Sequence, residues 1–220
     1  MKKNAINDKI MLAKKKIEDA ALYLAKKEDL KKLAEVAADA YKDYPLHNWF
    51  MGGKYNEKIS KEIMLISLKI MHKSGLIYAD SKDMNGFTVW LSNDYTGIKT
   101  LPFLFNGGFK LIFTFKFKLI GRMISYEKFA VAIENELTDD KNWYLYNLSV
   151  KKEAQGKGIA SKLLKPMLEF YDNENIRCFL ETNNKPNVKM YEHFGFELKK
   201  EKLIPDSNVN HYAMFREPRK

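Results

Sequence analysis

The stretch from Tyr144 to Leu168 constrains this chain more than any other. Tyr144-Leu145-Tyr146-Asn147-Leu148-Ser149-Val150 reads as a strand, and Lys151 to Ala154 make a turn. Gln155-Gly156-Lys157-Gly158-Ile159-Ala160 then opens a helix that continues from Ser161 to Leu168. A strand, a glycine turn and a helix N-terminus make a cradle for an anion. Orphan N–H groups and the positive end of the helix dipole face outward, and glycine lacks the Cβ that would hold the anion off. Two nucleotide cradles are excluded by spacing. The Walker pattern, two glycines with four residues between them followed by Lys and Ser or Thr, does not occur, and the dinucleotide fingerprint has Ser161 where it needs a third glycine. Standing alone, Gly156 and Gly158 are equally compatible with an ordinary turn before a helix.

The rest of the chain reads as one α/β domain over 21–220 preceded by an N-terminal helical extension over 1–20, where Ile6, Ile10, Ile17 and Ala21 fall near helical spacing. Ala21 to Ala25 suits a first strand. Asp29, Leu30, Leu33, Val36, Ala37 and Ala40 give a helix ending near Pro45, and a second helix runs from about Asn56 to Lys73, closed by Gly75. Leu76 to Ala79 and Phe87 to Leu91 make a hairpin, with Asn85-Gly86 supplying the positive φ angles of its turn. Residues 98–137 form a hydrophobic insertion rich in phenylalanine. Phe113 to Leu119 alternates as a strand would, whereas Met123 to Leu137 has helical periodicity. Downstream come a strand at 176–182, a helix at 186–194 and closing strands near 196–203 and 209–216.

Composition removes several function classes. The single cysteine, Cys178, cannot form an internal disulfide, and no Cys and His cluster has metal-ligand spacing, so neither a disulfide scaffold nor a metal site is expected and the cytoplasm is the expected compartment. No run approaches the length of a membrane helix, so no membrane partner is expected. The net charge of +10 suits an anionic ligand. Because the lysines are spread over the whole chain instead of along one groove-reading motif, nucleic acid is not the expected partner.

Gln155, Gly158 and Ala160 match the signature of the GNAT acyltransferase superfamily: Gln or Arg, two residues, Gly, one residue, then Gly or Ala. The resemblance continues through Phe179-Leu180-Glu181-Thr182-Asn183-Asn184 and Asn187 to Phe196, dense over about 142–200 and looser over 21–92. It implies a mixed, mostly antiparallel sheet of six to seven strands flanked by helices and splayed between the fourth and fifth strands. It implies acetyl-CoA as cosubstrate, with no metal. The backbone N–H groups of Gln155, Gly156, Lys157, Gly158, Ile159, Ala160 and Ser161 would hold the pyrophosphate. Leu148, Ser149 and Val150 would lie along the pantetheine, with the amide near Leu148 polarising the thioester carbonyl, and Asn184 and Asn187 would take the family's CoA-contacting positions.

The same resemblance makes Tyr191 the proton donor to the departing thiolate, against a structural alternative of packing on Phe194 or Phe196. The strand at 143–150 carries no carboxylate, and Asn147 cannot take a proton. Glu181 on the neighbouring strand is therefore the candidate base, either catalytic or a hydrogen bonder to turn residues, with Glu153 behind it. His47, His72 and His193 read as surface or structural groups, and Cys178 as a core residue. Trp143-Tyr144-Leu145 and Leu180-Glu181-Thr182-Asn183 most resemble small-molecule N-acetyltransferases of the puromycin-acetyltransferase-like kind, which favours a hydrophobic or aromatic amine as acceptor. An acyl-CoA sensor without catalysis and an acetyltransferase of a protein or peptide amine stay open, as does monomer against homodimer.

Overall fold

A computed structural model describes residues 2–92, 117–138 and 142–219, with side chains from residue 8 and, after the gap, from residue 118. Its helices are α1 (Lys2–Asp19), α2 (Leu30–Ala40), α3 (Pro45–Phe50), α4 (Glu57–Met71), α5 (Phe117–Leu137), α6 (Ile159–Asn173) and α7 (Lys185–His193). The strands are β1 (Tyr23–Leu24), β2 (Gly75–Ala79), β3 (Gly86–Ser92), β4 (Asn142–Val150), β5 (Arg177–Thr182), β6 (Glu197–Leu203) and β7 (Asn210–Arg216). They form one sheet in the order β1-β2-β3-β4-β5-β7-β6. Among the described strands only the β4–β5 pair is parallel.

Period-two alternation decides which side of the sheet each residue serves. Leu76, Tyr78, Trp90, Trp143, Leu145 and Leu180 face α1 and α6, where they meet Ala13, Ile17, Leu163, Leu164 and Met167. Ile77, Ala79, Val89 and Leu91 point the other way, onto Leu33, Ala37, Met64 and Leu68 of α2 and α4. Every residue of β3 is buried, because both faces of the sheet centre are covered. At the outer edge β6 is mostly exposed and reads Glu-Leu-Lys-Lys-Glu-Lys-Leu, charges that discourage a further strand from pairing there.

The opening in this sheet has a local cause. Along β3, Val89 lies opposite Asn147 but Trp90 lies opposite Leu145, so Tyr146 is an extra residue, a β-bulge. The β4–β5 register stops at Leu145↔Leu180, immediately before it. From Tyr146 onward β4 bends away from β5 and leaves a cleft.

Several expectations need correction. Leu119 is helical, in α5, and not strand; Phe113 to Lys116 lie outside the described residues, as does the rest of 98–116. The first strand shrinks to Tyr23–Leu24, and α3 is an extra helix started by Pro45 at its first position. The hairpin turn takes its positive φ at Met84 (56°) and not at Asn85-Gly86. Asp80 closes that turn by accepting the Gly86 N–H at 2.9 Å. Gly86 is demanded instead by crowding: a Cβ there would lie 2.7 Å from Ile159 Cγ2 and 3.1 Å from the Ser149 carbonyl. This close approach seats the start of α6 on the sheet.

Candidate active site

The first half of the site is the cleft between β4 and β5 together with the loop that follows β4. That loop is pinned on several sides. The Lys152 N–H donates to Asp39 Oδ2 of α2 at 2.7 Å, the Lys152 ammonium pairs with Asp43, and Gln155 Nε2 donates back to the Val150 carbonyl at 3.1 Å. Gly156 and Gly158 have φ of 75° and 77°, a conformation that penalises any residue with a Cβ. A Cβ on either would meet no protein atom within 4 Å, so backbone conformation and not crowding by protein requires glycine. Gly158 is the N-cap of α6, and no side chain caps it. The first N–H groups of α6 therefore open toward the cleft, whose volume is about 640 Å³.

At the inner end of the cleft a hydrogen-bonded cluster ties four elements together. Tyr44 Oη accepts the Asn183 N–H at 2.7 Å and lies 3.0 Å from Thr182 Oγ1. Thr182 Oγ1 also accepts from the Asn184 N–H at 3.3 Å and from Asn187 Nδ2 at 3.4 Å. Asn147 Nδ2 donates to Tyr41 Oη at 2.7 Å, and the Tyr41 ring stacks on His47 with centroids 4.2 Å apart. Burial pushes the His47 imidazole down to about 4, so it is neutral at physiological pH. Tyr191 lies edge-on to Phe196 at 5.9 Å, and burial, with Tyr44 and Tyr41 adding to it, pushes its phenol well up and keeps it protonated.

The second half is a cavity of about 280 Å³ roofed by α5 and walled by α3, α4, β4 and β5, with Phe50, Met64, Met123 and Tyr144 among its apolar lining. Glu181 stands where it meets the cleft. Its Oε2 accepts from Tyr144 Oη at 3.1 Å. Its Oε1 lies 3.4 Å from His211 Nε2 of β7, and neither atom has a hydrogen-bond partner. Glu134 of α5 lines the same cavity, and burial, followed by the nearby charges of Glu181 and Glu127, pushes its carboxyl up to about 7. Cleft and cavity share four wall residues: Tyr41, Tyr44, Tyr146 and Glu181. The arrangement can hold an elongated anion in one arm and a small apolar molecule in the other, with a carboxylate and a buried phenol where they meet.

The profile of the Acetyltransferase (GNAT) family matches residues 115–196. An uncharacterised N-acetyltransferase of Schizosaccharomyces pombe is 27% identical over 204 residues, covering 87% of this chain and 81% of its own. Over residues 115–196 the chain is similar to the GNAT acetyltransferases. Solved structures agree at the level of fold. One from Corynebacterium glutamicum, described as histone acetyltransferase HPA2 and related acetyltransferase, superposes with a TM-score of 0.63 at 15% identity over 91% of this chain and 97% of that one. The C-terminal condensation domain of Ebony, in complex with beta-alanyl-dopamine, gives 0.64 at 6% identity over 89% and 97%.

Within this GNAT fold most of the sequence-derived candidates converge. Leu148, Val150, Gln155, Gly156, Gly158, Ile159, Ala160, Ser161, Glu181, Asn184, Asn187 and Tyr191 all line the cleft. Two do not: the Lys157 side chain is exposed outside it, and the Ser149 side chain is buried at 1% exposure. Glu153 is exposed and also outside the lining. His47 is buried in the cavity wall, the structural one of its two expected readings, and Cys178 is core as expected, its thiol pushed up by burial. Sequence reasoning missed Tyr41, Tyr44, His211 and Glu134. Only Glu134 carried a usable signal, an acid on the same helical face as Ala130, four residues earlier.

Proposed function

We propose that this acetyl-CoA-dependent N-acetyltransferase acts on the amine of a small molecule with an apolar body, bound in the cavity under α5. The carrying observation is that the cleft and the cavity meet at Glu181, Tyr41, Tyr44 and Tyr146. The residues present fit the cosubstrate. Exposed backbone from Tyr146 to Val150 suits the pantetheine amides, and the capless N-terminus of α6 suits the pyrophosphate. In this reading the acceptor ammonium, which titrates near pKa 10 in water, gives a proton to Glu181, whose Tyr144 and His211 contacts fix its orientation. The amine nitrogen attacks the thioester carbonyl, the C–S bond breaks as the amide forms, Tyr191 protonates the departing sulfur, and the second proton shed by the nitrogen restores the Tyr191 phenol.

A protein lysine is disfavoured by the cavity's small volume and partial enclosure by α5. Coenzyme A release from acetyl-CoA, measured across a panel of small amines and lysine peptides, tests the reading. Small amines should turn over with kcat/KM at least tenfold above any peptide. Coenzyme A binding without turnover of any amine would leave a sensor instead.

A further inference from the structure

Among the described residues, the acidic and basic side chains of the cavity wall, apart from the neutral His47, are three carboxylates and one lysine. Glu127 and Glu134 stand two turns apart on the inward face of α5, about 10 Å along the helix axis, and Glu181 faces them from β5. Lys128 is the one lysine or arginine among the described lining residues, and it is exposed. Two acceptors on the wall lack any hydrogen-bond donor: Glu181 Oε1, on a side chain only 8% exposed, and Asn147 Oδ1, on a residue 3% exposed. A buried acceptor without a donor costs stability, and here more than one carboxylate shares a confined apolar space. A single ammonium can neutralise one of these acids.

Resting on the acetyltransfer reading above, we infer that the acceptor is a diamine. One nitrogen is acylated at Glu181, and the other, still an ammonium, is held by Glu134 with Glu127 behind it. The spacer lies against Phe50, Met64 and Met123. The charge of the second ammonium answers the carboxylates on α5, and the apolar walls exclude a strongly hydrated chain. Glu134 is thereby a specificity-determining residue and takes no proton from the reacting nitrogen.

The test is a kinetic comparison of diaminobutane and diaminopentane with butylamine and pentylamine, using the full chain and saturating acetyl-CoA. The wild type should favour each diamine over its monoamine by at least about tenfold in kcat/KM, the scale of a hydrogen-bonded ion pair. In Glu134→Gln that ratio should fall toward one, chiefly through KM. Glu136→Gln, on the exposed face where Glu136 pairs with Lys200, should keep the wild-type ratio. Equal use of monoamines and diamines by the wild type overturns the inference while leaving acetyltransfer intact. So does a Glu134→Gln variant that loses both substrate types equally. Failure to bind coenzyme A, followed by calorimetry on each protein, overturns the acetyltransfer reading itself.

Discussion

The two arms of the site are made of different material. The cleft is mostly backbone: the exposed edge of β4, two left-handed glycines and the first N–H groups of α6. The cavity is mostly side chains, gathered from α3, α4, α5, β4 and β5 across a span from Tyr41 to Asn183. A backbone site tolerates side-chain change but not conformational change. A side-chain site has the opposite sensitivity, and it titrates.

The largest effect should come where the arms join. Glu181→Gln keeps the size and the contact with Tyr144 but removes the proton acceptor, so kcat/KM should fall by roughly 10²–10⁴-fold while coenzyme A affinity holds, read by steady-state kinetics alongside calorimetry. A fall in coenzyme A affinity of the same size would show that the arms are not separable. Next comes the cleft. Gly158→Val forces a β-branched residue to a φ of 77° and displaces the N–H groups at the start of α6. Coenzyme A affinity should drop by about 100-fold, whereas Lys157→Ala should change it less than about threefold at physiological salt. Comparable losses from both would mean that a lysine charge, not backbone geometry, makes the cradle.

This contrast also explains what could be read from the sequence. Gln155-Gly156-Lys157-Gly158 specifies its function locally, because φ angles and helix N-termini are set by neighbouring residues. The splay was anticipated only by resemblance; its physical origin, the bulge at Tyr146, depends on register against β3, a distant segment. Tyr41 and Tyr44 were invisible for the same reason. Nothing in Tyr-Lys-Asp-Tyr-Pro says that one phenol meets Asn147 and the other meets Thr182, more than 100 residues away. The turn at Met84 was misread because Asn85-Gly86 looks like the reversing pair, whereas contact with Ile159, far along the chain, is what selects Gly86.

A smaller effect belongs to Tyr191. Tyr191→Phe leaves the ring contact with Phe196 intact and removes only the phenolic proton, so kcat should fall about tenfold with little change in the KM for either substrate. Protonation of a good leaving group contributes less than activation of a poor nucleophile, and the ratio between this loss and that of Glu181→Gln measures the difference. An unchanged kcat would make Tyr191 a packing residue.

The smallest effect is on stability, and it separates the arms by pH. Glu134 is pushed up to about 7 from an ordinary 4.5, so between those values the folded chain holds more protons than the unfolded chain. Stability therefore falls as pH rises through that window. Glu134→Gln, which has no proton to lose, should be more stable than the wild type by about 1–2 kcal/mol at pH 8 and nearly equal to it below pH 4.5, after discounting for the side chain's partial exposure. His47 works in the other direction. Pushed down to about 4 from 6.5, it contributes stability that is present above 6.5 and lost as pH falls toward 4. Urea melts at pH 5 and pH 8 would reveal both trends, and identical melts for wild type and Glu134→Gln at pH 8 would show that the carboxylate feels no burial. Both titrating groups line the cavity, so the pH response of folding should concentrate in the arm built from side chains.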